Sequence, residues 1–418
     1  MSIKKKILNN RMYLCVKGVQ DEWVTKCPDY SHFIYTFRQH TPFGIDFSDV
    51  PFTGNPNFGE VLTVRIPSGK SDLLSSVSLT VSWRPDYDAI TTVGNPLTKL
   101  IEYAELLIGE QVIDTITGEY IYMRNKLDTS DQHRDIKSYR GGEGSVTEGY
   151  YPTKLSLELP FYFTRNNKSA IPLCKLSQQQ VSIRIKLVSR DKYYSYKSES
   201  ASSLPPFIND VTEKLIDQIV LTTEHVYLGE TERKAYQESH MEYLITQVQL
   251  RETRMQPGID KKVFLLDFKH PVKELLFLGE PIYTNSNDAP NNYRFRQIKT
   301  AELCLNNVIF FRKNGHFLSV VQPFKNHINI PDFGESQFGM YSFSLDPGDS
   351  NPTGQLNMSR IIHQKFTLEF KEQDRYVDPD DNSLIDRTYS SEETQIRVYA
   401  LNYNILSFDS GLAGLKFY

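Results

Sequence analysis

The chain has 418 residues, 39% of them hydrophobic and 23% charged, with a formal net charge of −4. That length accommodates two domains of ordinary size. The near-neutral balance speaks against a coat laid directly on nucleic acid, which calls for a strong basic excess. Tyr (25) and Phe (24) far outnumber Trp (2), a composition suited to half-buried pleated surfaces and so to a β-rich fold.

The start carries Lys4, Lys5 and Lys6 with no apolar run behind them, so it does not read as a secretory signal. Residues 1–27 lack alternation and read as an N-terminal arm. No apolar stretch approaches the roughly 20 residues that a membrane-spanning helix needs. The expected place of synthesis is the cytosol, where Cys15, Cys27, Cys174 and Cys304 remain reduced thiols. Without passage through the secretory route, the glycosylation patterns Asn167-Lys-Ser169 and Asn357-Met-Ser359 are chance matches.

Period-two alternation then recurs along the chain. Val61–Ile66, Val77–Trp83, Val181–Leu187, Ile219–Leu228, Tyr243–Leu250, Lys365–Phe370 and Gln395–Leu401 read as strands, bounded by turn clusters such as Pro67-Ser-Gly69, Asn95-Pro96 and Asp346-Pro-Gly348. Short helices are expected at Gly118–Leu127, Leu215–Ile219 and Thr231–Gln237. Asp128–Gly149 and Ser189–Glu213 read as long surface loops, the kind that carries function or disorder. Asn306-Asn307 is placed for a tight hairpin, because Asn tolerates positive φ. Gln395–Asn404 is expected to be the last strand, inside a sheet, with Ile396, Val398 and Ala400 on one face. The exit then begins at Asn402 and Asn404, and a tail tucks in Leu412, Leu415 and Phe417.

An internal repeat divides the chain. Ala104–Ile108 aligns with Ala301–Leu305 at an offset of 197, and the same offset sets Gly118 on Gly315 and Tyr120 on Phe317. Val181–Ile185 aligns with Phe366–Phe370 at 185. A repeat this long is domain-sized. The expected organisation is an N-terminal arm at 1–27, a first β domain at 28–231, a polar linker at 232–240 and a second β domain at 241–418. Many short strands with regular turns point to sandwiches or jelly rolls.

No enzyme motif survives inspection. The nine histidines form neither H-x-H nor H-E-x-x-H, and His270 and His327 sit beside turns, where structural roles are favoured. Ser68-Gly-Lys-Ser71 resembles the end of a phosphate-binding loop, but Val64 stands where its first glycine belongs. Asp378–Asn382 suggests a calcium loop, but Ser383 replaces the glycine and Tyr389 the bidentate Glu. No catalytic, cofactor-binding or metal site is assigned, and no cofactor is expected.

Several segments, in order, resemble the double jelly-roll major capsid proteins of large double-stranded DNA viruses of eukaryotes, of the iridovirus, phycodnavirus and giant-virus type. They are Glu105–Asp114 with Gly118, Leu159–Asn166 with Ala170–Leu173, Val226–Leu228, Glu232-Arg233, His240–Ile245, Phe268–Leu275, Leu305–Asn307 and Gln322–His327. Tyr341–Arg360 and Val398–Leu415 complete the series. Within it, Pro160 and Pro172 suit strand ends, and the Arg165 fork suits loop carbonyls or a carboxylate.

The resemblance implies an all-β chain of two tandem eight-stranded antiparallel jelly rolls with short helices in loops. It implies homotrimers with a pseudo-hexameric outline, which tile an icosahedral virion shell. The implied partners are the chain itself, neighbouring trimers, penton and minor capsid proteins, and the inner viral membrane through the N-terminal arm. Direct contact with nucleic acid is not implied, and assembly is expected in host cytoplasm. The alternative is a jelly-roll lectin-like or host-attachment protein, which would need a binding site on the long loops.

Overall fold

The computed structural model describes residues 18–67, 69–83, 95–128, 154–193, 216–282, 293–329, 338–377, 384–388 and 392–417. Up to Pro42 the chain is a unit of its own. In it the helix Val19–Thr25 starts where Asp21 Oδ2 accepts from Gly18 N at 2.7 Å, and Trp23, Phe33 and Tyr35 are exposed.

From Phe43 onward two β halves follow one another. The first holds β1 (Phe43–Pro51), β2 (Val61–Arg65), β3 (Leu73–Trp83), β4 (Ile101–Ile108), β5 (Gln111–Thr117), β6 (Lys154–Glu158), β7 (Ile171–Pro172), β8 (Val181–Leu187) and β9 (Ile216–Leu228). These form a sheet ordered β1-β9-β3-β6, with β7 beside β3, and a second ordered β2-β8-β4-β5. The helix Glu230–Glu238 joins the halves.

The second half holds β10 (Met241–Met255), β11 (Lys261–Leu265), β12 (Pro271–Ile282), β13 (Ile298–Leu305), β14 (Val308–Asn314), β15 (Gly339–Ser342), β16 (Leu356–Asn357) and β17 (Gln364–Phe370). It continues with β18 (Gln373–Val377), β19 (Leu384–Thr388), β20 (Glu393–Asp409) and β21 (Leu412–Leu415). Its sheets run β10-β20-β12-β15, with β16 beside β12 and β21 beside β20, and β11-β17-β13-β14, while β18 pairs with β19. Every strand pair among the described residues is antiparallel. Each half is a jelly roll, and the chain is a double jelly roll. β8 and β17 show the cause locally: Val181, Ile183, Ile185 and Leu187, then Phe366, Leu368 and Phe370, face the core while the residues between them do not.

The repeat extends to the irregularities. β4 and β13, the turns after them, and β5 and β14 match at 197, and so do their bulges, at Leu106/Leu107 in one and Leu303/Cys304 in the other. The spacing of 185 needs correcting for β8 and β17. Ile183 lies opposite Leu106 and Phe366 opposite Leu303, so these strands are 183 apart.

Asn306 and Asn307 have φ of 48° and 69°, which makes the hairpin turn type I′. Two further expectations are corrected. The helix expected at Leu215–Ile219 is not found in its described part: Ile216 onward is the start of β9, and a bulge between Ser82 and Trp83 breaks the alternation there and mimics helical spacing. The last strand does not exit at Asn402 and Asn404 but runs on to Asp409, burying Leu406 and Phe408. The tail then turns at Ser410-Gly411 and pairs back on β20. Ala413 is buried, whereas Leu412 and Phe417 stay exposed.

The two rolls share a core. One apolar cluster runs from Leu62, Val77 and Ile183 through Tyr120 and Tyr122 to Leu276, Tyr293, Tyr399 and Phe408 of the second roll. A smaller cluster, including Val272, Phe277, Phe366 and Val398, fills the second roll alone. β12 therefore buries both faces over most of its length, one toward each cluster.

Candidate functional site

The seam between the rolls is built largely by β5 and the helix Gly118–Asp128 of the first roll against β10, β12 and β20 of the second. Gly118 starts the helix directly on the backbone, where a Cβ would lie 2.0 Å from the Thr98 carbonyl oxygen. That close approach aims the helix across the seam. Tyr120 packs against Tyr399 with ring centroids 5.7 Å apart, and Thr117 Oγ1 hydrogen-bonds Tyr399 Oη at 2.8 Å.

Two ionic clusters cross this seam. Arg124 donates to Glu274 Oε1 at 2.8 Å and to Asp128 Oδ2 at 2.6 Å. His327 closes the group: Nδ1 is 3.0 Å from Asp128 Oδ1 and Nε2 is 2.9 Å from Glu274 Oε2. With both ring nitrogens aimed at carboxylates, the imidazolium is the form that satisfies them. Burial works against the charged ring, but Glu274 and Asp128 outweigh it and raise its pKa above 6.5. Burial also opposes the Glu274 carboxylate, yet His327 and Arg124 hold it down at about 2. The second cluster centres on Arg397, which reaches Glu252 at 2.7 Å, Glu280 at 2.8 Å and, across the seam, Glu119 at 3.1 Å.

Beside these, the edge strands of the two rolls meet. Asp114 on β5 accepts from Val248 N on β10 at 3.0 Å, and Gln247 Nε2 donates to the Ile113 carbonyl. Burial pushes the Asp114 carboxyl up to about 7, against the two backbone N–H groups it accepts from and the pull of Arg165. Next to the His327 cluster an open cleft of about 820 Å³ is lined by Tyr162, Arg165, Lys273, Lys325 and Asp346 among others. Its polar groups are largely engaged within the protein. Lys273 Nζ donates to the Pro347 carbonyl at 2.8 Å, and burial lowers its pKa to about 7.

The residues singled out in the sequence fall into structural places. His327 is a seam residue. His270 holds a φ of 64° in the turn before β12. Arg165 donates to Tyr120 Oη at 2.9 Å, and among the described residues no carbonyl or carboxylate accepts a hydrogen bond from it. Ser71 of the phosphate-loop lookalike bonds His225 Nδ1 at 2.6 Å, on the way into β3. Ser68, the segment 378–383 and Tyr389 lie outside the described residues, as do most of the two long loops and residues 1–17 of the arm. No cluster of three or more His, Cys, Asp or Glu suited to a metal occurs among the described residues. The buried charges Arg124, Glu274 and Lys273 were not anticipated, since nothing in their spacing marks them as interior.

Among the described residues, several sheet-edge strands expose apolar side chains, Val263 and Leu265 of β11 among them. On β1, Phe43, Ile45 and Phe47 are exposed, and on β14, Val308, Ile309 and Phe310 are exposed. Patches like these mark interaction sites.

Comparison with known proteins agrees with this geometry. A family model described as major capsid protein N-terminus matches residues 31–229, and one described as large eukaryotic DNA virus major capsid protein matches residues 232–414. The major capsid protein of Pyramimonas orientalis virus is 27% identical over 440 residues, covering 97% of this chain and 98% of the relative. That of Paramecium bursaria Chlorella virus 1 is 23% identical over 450 residues, with 97% and 98% covered. Among solved structures, the quasi-atomic PBCV-1 virus capsid matches with a TM-score of 0.75 at 22% identity, covering 93% of this chain and all (100%) of that one. The Faustovirus major capsid protein matches at 0.66 and 12% identity, covering 97% and 98%. At these identities the solved structures speak to the fold. The lectin-like alternative gains nothing from the relatives.

Proposed function

Because the chain belongs to the major capsid proteins of large eukaryotic DNA viruses, we propose that three copies of it close into a capsomer of six jelly rolls whose hexagonal outline tiles an icosahedral shell. The protein is a structural component of a virus capsid. What carries the finer reading is the structural repeat: two rolls of matching topology are welded by a common core and two ionic clusters, so the chain behaves as a rigid two-sixths of a ring. A rigid tile is what a closed shell needs, because interface geometry repeated many times tolerates little bending at the seam.

The finer assignments belong to the same proposal. The assignment is an arm at 1–27, a first roll within 28–231 whose strands begin at Phe43, a link at 232–240 and a second roll at 241–418. The exposed Trp23 and the sequence Lys4-Lys5-Lys6 support an arm that meets a minor capsid protein or anionic lipid headgroups on the inner face. Penton and minor capsid proteins complete the shell, DNA contact is indirect, and assembly takes place in host cytoplasm. Sedimentation across the micromolar range tests the core of this. A trimer that survives dilution is expected, since obligate interfaces bury upwards of ~2,000 Å². A monomer throughout would refute it.

A further inference from the structure

The repeat relates the surfaces of the two rolls strand by strand. Within one chain, β5 of the first roll lies against β10 of the second, through Asp114 to Val248 and Ile113 to Gln247. Each partner has a counterpart for which no such neighbour occurs among the described residues. For β5 it is β14, at an offset of 197, and the shared bulge sets Ile113 on Phe310.

For β10 the counterpart is β1, through the matching bulges of the central strands. Leu74 and Ser76 pair with His225 and Glu224 as Val272 and Glu274 pair with Asn402 and Leu401. Glu224 lies opposite Phe47 and Leu401 opposite Val248, so Phe47 takes the place of Val248. The helix repeats the pattern. Leu127, fully buried at 0% exposure, corresponds to Phe324 in the helix Gln322–Asn326, which is 74% exposed.

We propose that β14 and Phe324 of one copy dock on β1 of the next copy, with Phe310 against Phe47, so that the contact between chains repeats the contact between rolls. The inference rests on the trimer reading and names its interface. Three observations support it. The buried member of each pair has an exposed apolar counterpart: Ile113 is 2% exposed and Phe310 48%, while the half-buried Val248 is replaced by Phe47 at 65%. Phe310 is already braced from behind by Phe343 and Tyr341, at ring separations of 5.7 and 6.3 Å, so it presents a fixed aromatic face. The charges are complementary in sign: Lys313 and Arg312, the latter bridged to Glu302 in its own chain, follow Phe310 on β14, while Asp46 and Asp49 flank Phe47 on β1.

The polar bonds that Asp114 and Gln247 make within the chain have no equivalent here, because Phe311 and Asp46 stand at those positions. The contact between chains is therefore aromatic where the contact within the chain is hydrogen-bonded. It is also heterologous, joining two different faces, and in the trimer reading it closes as a ring of three.

The test uses the full chain with Cys15 and Cys27 replaced by Ser. Phe47→Asp and Phe310→Asp are each compared with the parent by sedimentation velocity, with thermal unfolding as the check on the fold. Expected is a trimeric parent and, for each variant, a cooperatively folded monomer. In parallel, Phe47→Cys and Phe310→Cys are combined in one chain and treated with a short bis-maleimide. Covalent trimers are expected from the double variant, and nothing larger than dimers from a mixture of the two single variants. A trimeric parent whose Asp variants remain trimeric and whose double-Cys chain fails to cross-link overturns the interface and leaves the trimer reading intact. A monomeric parent overturns both.

Discussion

Gly118 and Gly315 stand 197 residues apart and perform the same task. A Cβ on Gly118 would lie 2.0 Å from the Thr98 carbonyl oxygen and 2.5 Å from that of Ile101, and one on Gly315 would lie 1.8 Å from the carbonyl oxygen of Ile298, the counterpart of Ile101. In each roll the chain leaves its hairpin and enters a helix pressed onto the backbone that began the hairpin. Neither glycine has a positive φ, so close approach and not backbone conformation requires it.

Gly118→Ala and Gly315→Ala should therefore each destabilise the protein by about 3 kcal/mol, at the upper end of what overpacking costs. Urea unfolding measures this. A loss below ~0.5 kcal/mol, the range of ordinary surface substitutions, would mean that the helices shift freely to make room.

The His327 cluster should make the seam sensitive to alkali. The folded pKa of His327 is raised above its ordinary value of 6.5, so its stabilising contribution is complete below that value and is lost as pH rises through the folded value. Lys273, lowered from 10.5 to about 7, works in the opposite sense: its contribution grows as pH rises from about 7 toward 10.5. The comparison of interest is therefore wild type against His327→Gln at each pH. The variant should cost about 3 kcal/mol at pH 6, as breaking a buried charge pair does, and the cost should shrink with rising pH. A cost that stays constant from pH 6 to 9 would show that His327 is neutral in the fold.

Asp114 gives a second pH signature. Its carboxyl is raised from 3.8 to about 7, so the folded protein binds the extra proton between those values and loses stability as pH climbs through them. Asp114→Asn retains an oxygen to accept from Val248 N and carries no charge. Its stability relative to wild type should rise steadily from pH 4 to pH 7 and then level off. A difference independent of pH would remove Asp114 as the cause.

The course of β20 sets the limit of C-terminal truncation. Ending the chain at Asn404 removes Leu406 and Phe408, both fully buried in the common core, and should cost about 5 kcal/mol or more. Ending it at Asp409 removes only the short edge strand β21 and should leave a folded protein. Circular dichroism and thermal melting of the two truncations separate the cases, and equal stability would contradict the placement of β20.

The strands that can be read from residues alone are those with one wet face, such as Val181–Leu187, where burial alternates residue by residue. β12 has no such pattern, because one face fills the second roll and the other fills the seam, and Lys273 and Glu274 stand in its interior. Nothing local distinguishes those two charges from surface ones. The partners, Arg124 and His327 for Glu274 and the Pro347 carbonyl for Lys273, lie far off in sequence, and the interior position exists only once two rolls have met. The repeat carried the architecture well, since it needs only matching turns and strand lengths. Where a bulge intervened, as at Ser82/Trp83 opposite β9, the periodicity misled.

Three copies of this double roll are expected to complete a hexagonal tile. Electron microscopy of the purified protein at micromolar concentration tests it most directly. Particles with threefold symmetry and a six-lobed outline are expected, each lobe one jelly roll. Single two-lobed particles, or rings of any other number of chains, would contradict it.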